Sequence, residues 1–269
     1  MKNSKIAFIG AGNMANSLIH GLLNKGVDKS KITACDVDIE KLQALQQACG
    51  INIQSVEDAA KSSNVIVLAV KPQVMQQVCA QLKDLLPAKG SLIISIAAGI
   101  PLSSLENWLG AGQSIVRCMP NTPALVSEGA TGLYANANTS ADQASLAESV
   151  LSAVGICSWL DNEAQIDMVT ALSGSGPAYY FLLMEAMEQA AITMGLAPEM
   201  ARKFTIQTAL GAAKLAASSD VAPDELRRRV TSPGGTTEAA IKSFESDAFR
   251  SIVERAISAA QKRSIELAS

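Results

Sequence analysis

Ser232-Pro233-Gly234-Gly235-Thr236-Thr237 sets three hydroxyl side chains around a glycine-led break between two helical patterns. Proline restricts the residue before it, and paired glycines disfavour any single conformation, so the stretch 230–238 is expected as a turn. Thr236 or Thr237 then reads as the N-cap of a helix whose apolar positions include Ala239, Ala240 and Phe244. A helix start of this kind leaves backbone N–H groups free and presents the positive end of a dipole. That chemistry suits a small anion such as a carboxylate. An ordinary capped turn between two helices uses the same residue types, so the stretch alone leaves both readings open.

The second such stretch lies near the start of the chain. Lys5-Ile6-Ala7-Phe8-Ile9 is a short apolar run rich in strand formers, and Gly10-Ala11-Gly12-Asn13-Met14-Ala15 ends it. Ser17 to Leu23 then carries a helical apolar face. This is G-x-G-x-x-A with a strand before it and a helix after, the context that a dinucleotide fingerprint requires. Gly10 permits the tight turn, Gly12 lets a pyrophosphate approach the backbone, and Ala15 is small enough for helix and strand to pack closely. A glycine turn without a ligand is the plainer alternative, and the flanking pattern weighs against it.

The elements that must position these stretches follow from apolar patterning. Lys31 to Asp36 reads as a second strand. Asp36 lies about 25 residues past Gly10, where a ribose-binding acid belongs. Asp38 competes for a role as cap of the next helix, 39–48. Asn52-Ile53-Gln54 suits a short third strand, and 64–70 is a continuous, β-branched buried strand. Lys71-Pro72 ends it, with the proline placed for the first turn of a helix through Leu86. A fifth strand, 91–96, leads into Ala97-Ala98-Gly99, and a sixth, 113–118, into Met119-Pro120-Asn121-Thr122-Pro123. Ligands of open α/β sheets lie beyond the carboxyl ends of the strands, so Ala69, Val70 and Lys71 are expected beside the cofactor. Asn121 belongs to that edge, either for the ligand or as an Asx-turn that holds its own loop. Two more strands, 130–135 and 155–159, flank a helix over 141–154.

From Glu163 onward only helices are expected. The stripe Ile166, Val169, Leu172 is interrupted by Ser173-Gly174-Ser175-Gly176-Pro177. The helices over 178–187 and 204–213 are apolar nearly all round and must be covered on every side. A second subunit is the expected cover, with burial inside their own domain as the alternative. The expected organisation is α/β over residues 1–162 and all-α over 163–269.

Composition excludes other classes. The chain has 269 residues, 48% of them hydrophobic and 4% aromatic, which suits packed helices better than a β-sandwich. Net charge is −3 with the signs interspersed, so neither nucleic acid nor an anionic membrane is an expected partner. No apolar run has the length of a membrane span. Met1-Lys2-Asn3-Ser4 leads into a strand pattern rather than a signal peptide. Cys35, Cys49, Cys79, Cys118 and Cys157 lack metal-ligand spacing; no metal is expected, and the five read as buried thiols in a reducing cytoplasm.

Taken with Ala69-Val70-Lys71-Pro72, Leu172 to Tyr179 and Val230 to Thr237, these motifs resemble pyrroline-5-carboxylate reductase over the whole chain. The resemblance implies a Rossmann domain followed by an all-helical dimerisation domain, a homodimer, and often larger rings of dimers. It implies reduction of the imino acid 1-pyrroline-5-carboxylate to L-proline by NADPH or NADH, the last step of proline biosynthesis. Residue by residue, it sets the pyrophosphate on the first loop, with Asn13, Met14 and Ala15 opening the helix. Ala69, Val70, Lys71, Pro72, Ala97 and Ala98 are expected along the cofactor, with Asn121 towards the nicotinamide half. The Ser232 hydroxyl and the backbone of Gly235, Thr236 and Thr237 are expected to hold the substrate carboxylate. Pro177 is expected near the ring and the Thr237 hydroxyl near its nitrogen; Glu163 matches a product contact in some members. Some relatives carry Asn at the positions of Val56 and Arg229, so this chain departs from them there.

The chemistry suits what the sequence lacks. His20 is the only histidine and belongs to the first Rossmann helix. A cyclic imine that arrives protonated is already a hydride acceptor, so orientation and carboxylate binding suffice. A reductase resembling 3-hydroxyacid dehydrogenases would share the N-terminal half and need a catalytic lysine from among Lys203, Lys214 and Lys242. A cofactor-binding regulator would need no turnover. Asp36 suits NADH, whereas the resemblance favours NADPH, with many members accepting both.

Overall fold

The computed structural model describes residues 4–86 and 90–268. The expectation placed on Met1, Lys2 and Asn3 lies outside the described residues.

Six short strands build a parallel sheet: β1 (Ile6–Ile9), β2 (Ile32–Cys35), β3 (Asn52–Ile53), β4 (Val65–Leu68), β5 (Leu92–Ser95) and β6 (Ser114–Met119). β7 (Gly129–Ala135) runs antiparallel to β6, and β8 (Gly155–Trp159) parallel to β7. The order is β3-β2-β1-β4-β5-β6-β7-β8. Every residue of β1, β2, β4 and β5 is buried, which explains why these strands read as unbroken apolar runs rather than alternating ones.

Side chains alternate between two apolar layers. Ile6, Phe8, Val65, Val67, Ile94 and Val116 join α1 (Asn13–Asn24) on one face. Ala7, Ile9, Ile66, Leu68, Ile93 and Ile115 share the other with residues of α3 (Val56–Ser62), α4 (Pro72–Lys83) and α5 (Leu102–Leu109). α2 (Ile39–Cys49) is capped by Asp38, whose Oδ1 accepts from Lys41 N at 3.0 Å. α6 (Ala141–Leu151) starts with a reciprocal Ser140–Gln143 capping box.

α7 (Gln165–Val169) packs against β6 and β7. The Ser173-Gly174-Ser175 break expected after it is instead a widened π-helical turn, Thr170–Gly174. Ser175 N donates to Thr170 O at 2.8 Å, and the Thr170 and Ser173 hydroxyls donate to the carbonyls of Ile166 and Val169. The helical path therefore persists where local propensity reads a stop.

By packing, the described residues divide into a first compact unit that runs to Ser175 and resumes at Ala260, and a second that comprises Gly176–Ala259. The second holds α8 (Gly176–Thr193), α9 (Pro198–Ala217), α10 (Pro223–Arg229), α11 (Thr236–Ser246) and most of α12 (Phe249–Leu267). α8 and α9 expose Phe181 (63%), Leu182 (67%), Phe204 and Leu210. Among the described residues no helix is long and apolar enough to cross a membrane. All five cysteines are free thiols, but only Cys35, Cys79 and Cys118 are buried. Cys49 and Cys157 are half-buried, against the expectation for all five: Cys49 ends the surface helix α2, and Cys157 sits on β8, at the edge of the sheet.

Candidate active site

The fingerprint loop joins β1 to α1 at the carboxyl edge. Gly10 N donates to Cys35 O at 2.7 Å, and Ala69 N to Ile9 O at 2.8 Å, so the loop is pinned between β2 and β4. Gly10 has φ +103°, and a Cβ there would stand 2.6 Å from Ala69 O. Only glycine fits. Gly12 is the opposite case: its Cβ would meet nothing within 4 Å. It is the N-cap of α1, which has no side-chain cap and no acid in its first turn. Unpaired N–H groups at the start of Asn13 and Met14, over an open face, form a cradle of the kind that holds a pyrophosphate. Ala15 is fully buried beneath it. The residues present therefore fit a dinucleotide.

A groove of ≈ 410 Å³ continues from the loop, lined by Gly10, Gly12, Asp36, Ala69, Val70 and Lys71, all foreseen, and by Val37, Lys41, Val56 and Val74. Val37, Lys41 and Val74 are lining residues that sequence reasoning missed. Val37 is 99% exposed, a large apolar side chain left bare immediately after the acid that ends β2. The Asp36 carboxylate is turned into the protein: Oδ2 accepts from Ala11 N at 2.7 Å and Oδ1 from Asp38 N at 3.0 Å. Burial pushes its pKa up, but the N–H donors of Ala11 and Asp38 and the charge of Lys41 outweigh that, and the net shift is downward.

Pro72, Ala97, Ala98 and Asn121 do not line this groove. Pro72 is the first residue of α4, after Lys71 as N-cap. Ala97 and Ala98 follow β5 at the same sheet edge, and a Cβ on the adjoining Gly99 would lie 3.2 Å from Leu267 O. Asn121 makes no Asx-turn of the expected kind. Its Oδ1 accepts from Ala130 N at 2.9 Å and its Nδ2 donates to Ser173 O at 3.0 Å. The amide ties the loop after β6 to β7 and to the π-helical turn.

Glu163 is likewise engaged. Its Oε1 accepts from Arg117 Nη1 at 2.6 Å and from Leu102 N at 2.7 Å, which ties it to β6 and the first turn of α5. Arg117 was not foreseen. The available signal was a charged residue inside a strand that is otherwise apolar, since a buried charge requires a partner.

In the second unit the turn before α11 forms as expected, with one correction. The N-cap is Gly235, not Thr236 or Thr237, and no side chain caps the helix. Gly234 takes φ +71° and Gly235 N donates to Ser232 O at 3.0 Å, so the helix begins at Thr236, too early for either threonine to cap it. Thr236 and Thr237 become its first two residues, and their N–H groups are the orphan donors of a helix start. Among the described residues the hydroxyls of Ser232 and Thr237 have no hydrogen-bond partner. Glu238 was not foreseen here: its Oε2 accepts from Gly234 N at 2.9 Å and pairs with Lys242 at 3.2 Å. The Gly234 N–H and then Lys242 hold its carboxyl below the usual range. Pro177 is the second residue of α8, and Arg229 pairs with Glu225 at 3.0 Å.

A family model described as pyrroline-5-carboxylate reductase dimerisation matches residues 163–267. A second, described as NADP oxidoreductase, coenzyme F420-dependent, matches residues 5–99. The chain is 56% identical over 269 residues to pyrroline-5-carboxylate reductase from Pseudomonas aeruginosa, covering 100% of this chain and 98% of the relative. A solved pyrroline-5-carboxylate reductase from Coxiella burnetii is 46% identical with a TM-score of 0.96, covering 99% of each chain. A solved pyrroline carboxylate reductase from Plasmodium falciparum, with NADP bound, is 31% identical with a TM-score of 0.87, covering 100% of each. With that identity spread over its whole length, and with the fingerprint loop and glycine-led turn both in place, the chain belongs to the pyrroline-5-carboxylate reductase family.

Proposed function

We propose that this chain reduces 1-pyrroline-5-carboxylate to L-proline with NADPH or NADH, the last step of proline biosynthesis. The observation that carries the reading is the glycine-led start of α11. Its uncapped N–H groups and the uncommitted hydroxyls of Ser232 and Thr237 suit an imino acid, which offers one carboxylate and one ring nitrogen.

NAD(P)H, when bound, would supply the hydride that a protonated cyclic imine accepts at its C=N carbon. The chain's own residues have the task of orientation. Gly10, Gly12 and the N–H groups of Asn13 and Met14 hold the pyrophosphate, over a buried Ala15. Ala69, Val70 and Lys71 form the wall after β4, with Pro72 starting α4 behind them, and Ala97 and Ala98 would meet the cofactor beyond this groove, at the sheet edge after β5. Asn121 keeps the loop after β6 in place. Ser232 with Gly235, Thr236 and Thr237 takes the substrate carboxylate, Pro177 packs on the ring, and the Thr237 hydroxyl meets the ring nitrogen. Glu163 serves the product side through the oxygen that Arg117 and Leu102 leave free.

The working form is a homodimer, the repeating unit of any larger ring, in the cytoplasm. The Rossmann domain is assigned to 1–162 and the dimerisation domain to 163–269. The bare apolar residues of α8 and α9 support the dimer. So does a cavity of ≈ 760 Å³ in the helical unit, with Leu183, Met187, Ile241, Phe244, Phe249 and Val253 in its wall. A 3-hydroxyacid dehydrogenase-like reaction finds less support, because Lys203 and Lys214 are exposed and Lys242 is paired with Glu238. The test is a paired measurement of NADPH binding and NADPH consumption with 1-pyrroline-5-carboxylate, with proline quantified. Binding without consumption would make the chain a regulator.

A further inference from the structure

An acid at the end of the second Rossmann strand ordinarily accepts from the ribose hydroxyls and so excludes a 2′-phosphate. Asp36 holds that position, but no oxygen of its carboxylate is free of a backbone donor. Oδ2 is taken by Ala11 N at 2.7 Å and Oδ1 by Asp38 N at 3.0 Å. Ala11 lies between the two glycines of the pyrophosphate cradle, and Asp38 is the cap of α2. The carboxylate thus staples the cradle to the β2–α2 turn.

The same end of the groove carries one ammonium, Lys41, in the first turn of α2. Its Nζ stands 3.6 Å from Asp38 Oδ2, and the side chain is 50% exposed. That separation is longer than a hydrogen bond, so the ammonium is held loosely and is free to turn. Lys71, the other lysine of the groove, belongs to the far wall after β4.

We infer that Asp36 is a positioning residue for the pyrophosphate loop, and that Lys41 is the residue that discriminates the 2′-phosphate of NADPH. The inference rests on the NAD(P)H reading above. It takes the adenosine ribose out of Asp36's control and assigns the choice of cofactor to a cation one helical turn further on.

Direct titration with NADPH and NADH, without substrate, tests it on the full-length protein. Adenosine 2′,5′-bisphosphate and AMP serve as probes of the 2′-phosphate alone. Lys41→Ala should weaken NADPH and the bisphosphate roughly tenfold, as for a lost charge-assisted contact, and change NADH and AMP less than about twofold. Asp36→Asn offers an amide N–H₂ where one of the two N–H donors needs an acceptor, so one staple is lost whichever way the amide turns. It should weaken both dinucleotides by the same factor and speed hydrogen exchange at the Ala11 or the Asp38 amide, whichever loses its acceptor, while the melting temperature stays within a few degrees.

A rise of about tenfold in the NADPH-to-NADH affinity ratio for Asp36→Asn would return Asp36 to the ribose and overturn the inference. Equal losses for both cofactors in Lys41→Ala would also overturn it. A wild-type protein that binds neither dinucleotide would instead remove the NAD(P)H reading on which it stands.

Discussion

Arg117 and Glu163, 46 residues apart in the chain, meet at 2.6 Å with Arg117 only 3% exposed. The pair is asymmetric: Arg117 is sealed within the sheet, whereas Glu163 keeps 29% of its side chain open. Removing Glu163 strands a buried guanidinium and also leaves Leu102 N without its acceptor. Removing Arg117 leaves a carboxylate that water can reach. Glu163→Ala should therefore cost about 3–5 kcal/mol, the range for breaking a buried pair, and Arg117→Met clearly less. Denaturant unfolding of the two variants checks the order; equal or reversed costs would show that the pair does not hold β6 to α5.

Gly10 and Gly12 separate stability from binding. Gly10→Ala sets a Cβ 2.6 Å from Ala69 O at φ +103°, so it should destabilise the fold by several degrees of melting temperature. Gly12→Val places its side chain in open space over the cradle. It should leave the melting temperature close to wild type and abolish nucleotide binding. Unchanged NADPH affinity in Gly12→Val would remove the cofactor from this loop.

These two glycines were legible because they fall in a short motif with a strand before it and a helix after it, and β1, β4 and β5 because their runs are apolar on both faces. What was illegible is non-local or turns on one residue of register. The Arg117–Glu163 contact depends on the whole sheet between them. Asn121 sits in a loop and reads as a local turn, yet its partners, Ala130 and Ser173, come from two other elements. The cap of α11 falls on Gly235 because Gly234 takes a left-handed conformation, and either glycine could have done so. For Asp36, ribose binding and loop stapling require the same residue at the same strand end. The sequence cannot distinguish them; the hydrogen bonds to Ala11 and Asp38 show the staple and support the proposal that Asp36 positions the loop.

Assembly follows from the exposure of α8 and α9. Tyr180, Phe181 and Leu182 are bare in succession, and Phe204, Ile206 and Leu210 are bare on α9. Covering such faces calls for an interface of the permanent class, about 2,000 Å² or more. The wild-type protein should sediment as a dimer or a multiple of it at low micromolar concentration, and Leu182→Glu should lower the assembly state and the activity together. A stable, active wild-type monomer would mean that these faces need no partner.

Thr237 is the sharpest test of the proposed substrate site, and the position of the cap improves it. A capping threonine loses about 1 kcal/mol of stability on conversion to alanine, which would confuse any kinetic effect. Thr237 is not the cap: Gly235 is, and the Thr237 hydroxyl has no partner among the described residues. Thr237→Ala should therefore leave the melting temperature unchanged. If the hydroxyl meets the ring nitrogen, kcat/KM should fall roughly tenfold or more, matching about 1–2 kcal/mol for one hydrogen bond. NADPH affinity, measured without substrate, should not move, because the cofactor groove belongs to the other compact unit. Thr237→Ser restores the hydroxyl and should recover most of the loss, whereas Thr237→Val keeps the shape without it and should not. Wild-type kinetics in Thr237→Ala would remove the hydroxyl from the reaction. The substrate carboxylate would then be left to Ser232 and the backbone N–H groups alone.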